Sequence, residues 1–121
     1  MSPSTPSEVD ERFAEYVNNN NLDALVALYE PNAVLVMPGE EHRGLAAIRA
    51  ALAALASDAG VHIQMRVVRS IEAGPDLAIL YNDWSATMPG NQTMAGKAIE
   101  IVRRQPDGSW RFLLDDPYAR G

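Results

Sequence analysis

The sequence contains no cysteine. Disulfides, thiol nucleophiles and thiolate metal sites are thereby excluded, and the composition fits a reducing, cytoplasmic setting. Cationic charge is sparse as well: 10 Lys and Arg stand against 16 Asp and Glu, a net charge of −6. No basic cluster exists to replace the counterions around phosphates, so nucleic acid is not an expected partner. No apolar run is long enough to span a membrane, and "MSPSTPSEVDERF" has no signal-peptide core, so no membrane partner is expected. The only histidines, His42 and His62, have neither HxxxH nor HxH spacing, which argues against zinc. "MPGNQ" lacks the glycine spacing of a phosphate loop and GxGxxG is absent, so neither metal nor other cofactor is expected.

What remains is an ordinary globular composition. With 121 residues and 47% apolar side chains, the chain is read as one domain, 1–121, with a single sizeable core and loose ends at 1–4 and 119–121. Thr5 and Glu8 form a capping-box pattern around Pro6, and Val9, Phe13, Tyr16 and Val17 then recur on one helical face. Asparagines 18–21 end that helix, and Asn21 caps a second, in which Leu22, Leu25, Val26, Leu28 and Tyr29 are apolar and which Pro31-Asn32 closes. "AVLVMPGEE" reads as a short buried strand whose last residue, Met37, precedes a Pro-Gly turn. After Gly44 comes a third helix with Leu45, Ile48, Leu52 and Leu55 on its apolar face, stopped by "SDAG" at 57–60. The character then changes to strands: "VHIQMRVVRSIEA", "LAILYNDWSAT", "TMAGKAIEIVRR" and "SWRFLLDD", the last two joined by the hairpin signal "QPDG". Three helices followed by a four-stranded antiparallel meander make an α+β domain.

The stretches "NNLDALVALYEPNAVLVMPG", "RGLAAIRAAL" and "RRQPDGSWRFLLDDP" give this order a resemblance to the nuclear transport factor 2-like superfamily. Its members include ketosteroid isomerases, SnoaL-like polyketide cyclases and limonene-epoxide-hydrolase-like enzymes. The resemblance implies a cone-shaped fold in which three N-terminal helices pack on a curved, mainly antiparallel sheet. It also implies a small, mostly apolar ligand at the mouth of the cone and a homodimer through the outer sheet face, with Ile99, Ile101 and Trp84 outermost.

By the same resemblance the odd positions of "LAILYNDWSAT" face the cavity: Leu77, Ile79, Tyr81, Asp83 and Ser85. A register error of one would exchange them for the even set. Ala98, Glu100 and Val102 then point inward on the next strand, and Leu113 and Asp115 on the last. Asp83, Glu100 and Asp115 thus surround one apolar space, where like charges cannot all stay ionised. A proton-sharing set of this kind supplies an acid and a base to one substrate. The competing reading is that one or more of them points outward, pairs with Arg66 or caps a turn.

Comparison within the superfamily sharpens the roles. The proton-moving carboxylate of ketosteroid isomerases, just before the proline, corresponds to Met37, and their first-helix oxyanion-hole tyrosine to Phe13. Only the protonated carboxyl of that hole has a counterpart, Glu100. Epoxide hydrolases of this fold also read Met-Pro there and use an Asp-Arg-Asp set. Asp83 and Asp115 match the acids, Tyr81 replaces the arginine, and Val34 and Val36 replace the water-holding tyrosine and asparagine. Arg66 is a replacement cation by parity alone. The sequence reading is therefore a cofactor-free acid/base enzyme (cyclase, isomerase or epoxide-hydrolase-like) acting on a small apolar molecule. Asp83 and Asp115 are its proton-transfer pair, Glu100 its third acid and Tyr81 its hydrogen-bond donor. Phe13, Val17, Met37, His62, Arg66, Ser85 and Leu113 line the ligand site. The alternative is a non-catalytic ligand-binding or dimerisation module.

Overall fold

The computed structural model describes residues 2–56 and 60–121. Helix α1 spans Glu8–Asn18 and α2 Leu22–Val26; strands β1 (Tyr29–Met37) and β2 (Glu40–Arg43) precede α3 (Leu45–Ala56). Strands β3 (His62–Glu72), β4 (Leu77–Thr87), β5 (Thr93–Arg104) and β6 (Trp110–Asp116) complete the chain. One six-stranded sheet runs β2-β1-β6-β5-β4-β3, antiparallel throughout except where β1 lies parallel to β6. The expected meander is β3 to β6, and the helices pack on one face of the sheet.

Local chemistry sets the boundaries. Ahead of α1 the expected capping box forms in part: Glu8 N donates to Thr5 Oγ1 at 3.4 Å, while the Glu8 carboxylate accepts from N and Oγ of Ser4, at 3.1 and 3.0 Å. At the other end Asn20 adopts φ 55°, while Asn20 N donates to Val17 O and Asn21 N to Tyr16 O. That is the left-handed helix cap an asparagine can adopt at low cost. Asn21 then caps α2, accepting from Ala24 N. Helix α2 is shorter than its spacing suggested, because β1 begins at Tyr29 and carries Pro31 and Asn32 within it. Pro38 and Gly39, with φ 78°, turn β1 into β2, a strand absent from the sequence reading. Of the stop expected at 57–60, residues 57–59 lie outside the described residues.

Helix α1 runs beside β3, the edge strand, and the Asn18 amide binds Ile63 on both sides. Nδ2 donates to Ile63 O at 2.9 Å, and Ile63 N donates to Oδ1 at 2.7 Å. This satisfies backbone groups the edge would leave open. Inside, Phe112 meets Phe13 edge-on at 6.1 Å and Tyr29 at 4.8 Å. Two bulges change side-chain parity: one at Val68 between Val67 and Arg69, the other at Leu113 between Phe112 and Leu114.

The far end of the chain is not loose. Arg120 N donates to Lys97 O, and its guanidinium bonds Asn82 O, Ala98 O and Asp83 while lying 5.2 Å from the Tyr81 ring.

Candidate functional site

Register decides what faces the helices. Strand β4 pairs with β5 as Leu80↔Glu100, Asn82↔Ala98 and Trp84↔Gly96, so even positions share one face on both strands. Ala78, Leu80, Asn82 and Ala86 are buried with Ala98, Glu100 and Val102. The even set of β4 therefore faces inward, opposite to the sequence expectation, whereas the inward set on β5 is as expected.

Several expected site residues move with that correction. Asp83, Tyr81 and Ser85 lie on the outer face: Asp83 pairs with Arg120 at 3.0 Å, Tyr81 sits between the Arg69 and Arg120 guanidinium groups, and Ser85 is exposed. His62 and Arg66 are exposed on β3, whose inward residues are Ile63, Met65 and Val67. Leu113 is the bulged residue, and its neighbour Phe112 takes the inward place. Val17 is fully buried in the core but does not line the cavity. Val34 and Val36 belong to the face of β1 away from the cavity, and Trp84 turns inward rather than outward. The acid pair drawn from epoxide hydrolases is therefore not assembled here. Met37 and Phe13 do line the cavity, together with Glu100 and Asp115.

That cavity has a volume of about 150 Å³ and lies between α1, α3 and the inner sheet face. A closed space of this order takes one benzene-sized ring, and because this one is open at its mouth a two-ring molecule can seat one ring inside with the other at the rim. Its wall is apolar and includes Met37, Met65, Met88 and Met94, four of the 5 methionines in the chain. Methionine adapts its shape, so such a wall accepts more than one outline. At the rim, Trp84 Nε1 donates to Pro117 O at 2.8 Å and its ring meets Tyr118 edge-on at 5.4 Å. Gly96 makes this possible: a Cβ there would lie 2.7 Å from Trp84 Nε1 and 2.8 Å from Pro117 O.

The polar part of the cavity comes from three strands. The bulge at Leu113 brings Asp115 directly across from Glu100, and Asn82 follows one inward step away on β4. Asp115 Oδ2 accepts from Tyr29 Oη at 2.5 Å, and Glu100 Oε2 accepts from Asn82 Nδ2 at 3.0 Å. Behind them lies Asp10 of α1, 2% exposed. Neither Asp10 oxygen nor Glu100 Oε1 meets a hydrogen-bond donor among the described residues. Carboxylate oxygens that face one another bond only if one carries a proton, and Asp10 and Glu100 do interact as a side-chain pair.

Electrostatics follow from burial without a cation. Burial, then the charges of Asp10 and Asp115, holds Glu100 well above the usual carboxylate range. Asp115 rises to about 7, chiefly through burial and against the opposing Tyr29 hydrogen bond. Asp10 rises to about 6, again through burial. Tyr29 is pushed up by burial and then by Asp115, so its hydroxyl stays a donor. The set holds a neutral acid and a titrating carboxyl side by side near neutral pH. Among the described residues no group of three or more His, Asp or Glu is arranged as a metal site.

Asp10, Asn82 and Tyr29 escaped the sequence reading. The signal for Asp10 was present: it lies three and seven residues before Phe13 and Val17, on the apolar stripe of α1.

Residues 11–112 match the family model of the SnoaL-like domain. The chain belongs to the SnoaL-like family. No curated protein matches the chain. Among solved structures, a nuclear transport factor 2-like protein of unknown function from Shewanella oneidensis is similar at 18% identity over 93% of this chain and 98% of that one, with a TM-score of 0.77. A candidate calcium/calmodulin-dependent protein kinase type II association domain from Thiobacillus denitrificans reaches 23% identity, 97% and 98% coverage, and a TM-score of 0.76. The Δ5-3-ketosteroid isomerase of a Mycobacterium species is 13% identical over 98% and 93%, with a TM-score of 0.70. At these identities the likeness is one of fold, and it fixes the nuclear transport factor 2-like architecture. Within this SnoaL-like domain the acids sit on the inner face of the sheet, at the polar end of the cavity. No helix among the described residues is long and apolar enough to cross a membrane.

Proposed function

We propose that this SnoaL-like protein is a cofactor-free acid/base enzyme of isomerase or cyclase type, acting on a small apolar molecule that carries a carbonyl. The observation that carries the reading is the pairing of Glu100 and Asp115 at the polar end of an otherwise apolar cavity. Two carboxyls whose surroundings separate their protonation divide into acid and base. Glu100, the neutral member, donates to the carbonyl oxygen. Asp115, titrating at about 7, takes the adjacent proton and returns it elsewhere, with Tyr29 fixing its orientation. Met37 is wall. Its apolar side chain lowers the polarity around the acids, which strengthens the charge interactions inside.

The test is deuterium uptake at the carbon next to the carbonyl of small cyclic ketones such as indanone, followed by NMR in heavy water. The protein accelerates uptake; Asp115→Asn and Glu100→Gln each lose about 10²-fold or more, and Asp83→Asn retains it. Absence of uptake in protein that binds 2-naphthol overturns catalysis in favour of a binding module.

Assembly through the outer face belongs to the same reading. Ile71, Ile79, Ile101 and Leu114 form one cross-strand row on that face, each half-buried. An apolar row of this kind favours a second copy of the chain as partner. Light scattering in dilute solution gives twice the mass of one chain; a monomer mass overturns the dimer.

A further inference from the structure

A second, half-polar groove lies between the start of α1 and the bulged part of β3, lined by Asp10, Glu11, Arg66 and Arg69 and by Val67 and Val68. Met65 belongs to the walls of both this groove and the apolar cavity, so the two spaces are neighbours. Asp10 lies against the groove on one side, with its carboxyl oxygens buried, and Glu100 lines the cavity on the other. Between them are buried oxygens without donors: both of Asp10 and Oε1 of Glu100. A pair of acids with unmet oxygens, joining two spaces, does not serve packing. Apolar groups of the same shape would fill the place at lower cost.

We propose that Asp10 and Glu100 hold one proton between them and pass it from the α1–β3 groove to the cavity, so that the cavity acid is recharged while a ligand occupies its mouth. The inference rests on the reading of Glu100 as the acid of the site. In the step, Glu100 gives its proton to the ligand's oxygen and takes one from Asp10. Asp10 recovers a proton from solvent in the groove. One proton crosses and no other bond changes. Asp10 never touches the ligand; it is a relay residue, and its action appears only through Glu100.

The charges around Asp10 agree with a single mobile proton. From β5 it faces Glu100, from β6 Asp115 and from β1 the neutral Tyr29. Arg66 and Arg69 of β3 and Glu11 of its own helix line the groove outside it. The inner neighbours oppose a second negative charge, while Arg66 and Arg69 stand on the groove side. A negative charge on Asp10 is therefore better tolerated than one on Glu100, which places the shared proton mainly on Glu100.

The experiment is a carbon NMR titration of the Asp and Glu carboxyls in the unmodified protein, alone and with 2-naphthol in the cavity. The expected result is a pair of two-step curves for Asp10 and Glu100 with the same midpoints, as coupled groups require. With 2-naphthol bound, Glu100 still gives one averaged resonance, because its proton continues to exchange. In Asp10→Asn the Glu100 midpoint moves to lower pH, and with 2-naphthol bound its averaged resonance separates into protonated and ionised signals. A merely structural Asp10 would shift the midpoint through its charge alone and leave the averaging of the liganded Glu100 resonance unchanged. Independent one-step curves in the unmodified protein overturn the sharing even if the variant does not fold. Unchanged exchange in liganded Asp10→Asn overturns the relay and leaves the ligand site standing. Failure of 2-naphthol to move the methyl signals of Met37 and Met65 overturns the ligand reading and the relay with it, while the titration still decides the sharing.

Discussion

Asp83 and Asp115 carry the same group and lie two strands apart in one sheet, yet they are different acids. Asp83, on the outer face, has a side chain 36% exposed and a guanidinium 3.0 Å away. Asp115, on the inner face, is 4% exposed, and its partner is a neutral hydroxyl. Among the described residues no cation pairs with Asp115, Glu100 or Asp10. The comparison teaches that the face of the strand decides what a carboxyl can do. Outside, an ion pair screened by water contributes little and moves no proton. Inside, burial without a counter-charge keeps a proton available near neutral pH.

The comparison is tested most severely by the dependence of stability on pH. Asp115, Asp10 and Glu100 have folded-state affinities for protons raised above those of the unfolded chain. The folded state therefore binds more protons, and stability falls as pH rises from the ordinary carboxylate range through about 6 and about 7. Glu8, Glu30 and Asp107 are held low instead, so their contribution is lost only on acidification below that window. Denaturant unfolding should give a stability lower by roughly 4 kcal/mol or more at about pH 8 than at about pH 5. Asp115→Asn should flatten that slope and exceed the parent at the higher pH. A flat or rising profile in the parent would break the contrast between the two faces.

A smaller effect is expected from Met37→Asp. Met37 lines the cavity on β1, so the change adds a carboxyl to an apolar wall already near two acids. It should cost roughly 1–3 kcal/mol near neutral pH. It should not by itself produce the steroid isomerase reaction, because Phe13 has no hydroxyl. Unchanged stability would place Met37 outside the wall and remove the explanation for a quiet residue at that position.

Much of the frame was legible in the sequence. Strands β4 and β5 have the expected bounds, and the inward residues of β5 follow from alternation. The error lay in joining an odd set on β4 to an even set on β5. Residues 88–92 close the hairpin at Thr87↔Thr93, a register that pairs even positions with even ones. Glu100 inside thus required Leu80 and Asn82 inside and Asp83 outside. Both faces of β4 mix apolar and polar residues, so composition could not choose between them. The bulges at Val68 and Leu113 carry no glycine or proline signal, yet without the second Asp115 would not share a face with Phe112. Tyr29 was hidden by helical spacing that continues past the end of α2. Asp10 was readable, since a carboxylate on an apolar helical stripe is expected to have a buried purpose.

The least disruptive test concerns Asp83 itself. Its ion pair with Arg120 is partly exposed, and Arg120 keeps its bonds to Asn82 O and Ala98 O and its place over Tyr81 when the carboxylate is lost. Asp83→Asn should therefore cost no more than about 1 kcal/mol, less in high salt, where screening already weakens the pair. The same substitution at Asp115 removes the titrating group of the cavity. If the face governs the chemistry, 2-naphthol should bind the Asp83 variant as it binds the parent, and its binding to the Asp115 variant should lose its pH dependence near neutrality. Thermal melts and a fluorescence titration of each variant read both quantities. A large loss of stability or of 2-naphthol binding in Asp83→Asn, with Asp115→Asn unaffected, would reverse the assignment of the faces. It would return the odd residues of β4 to the cavity.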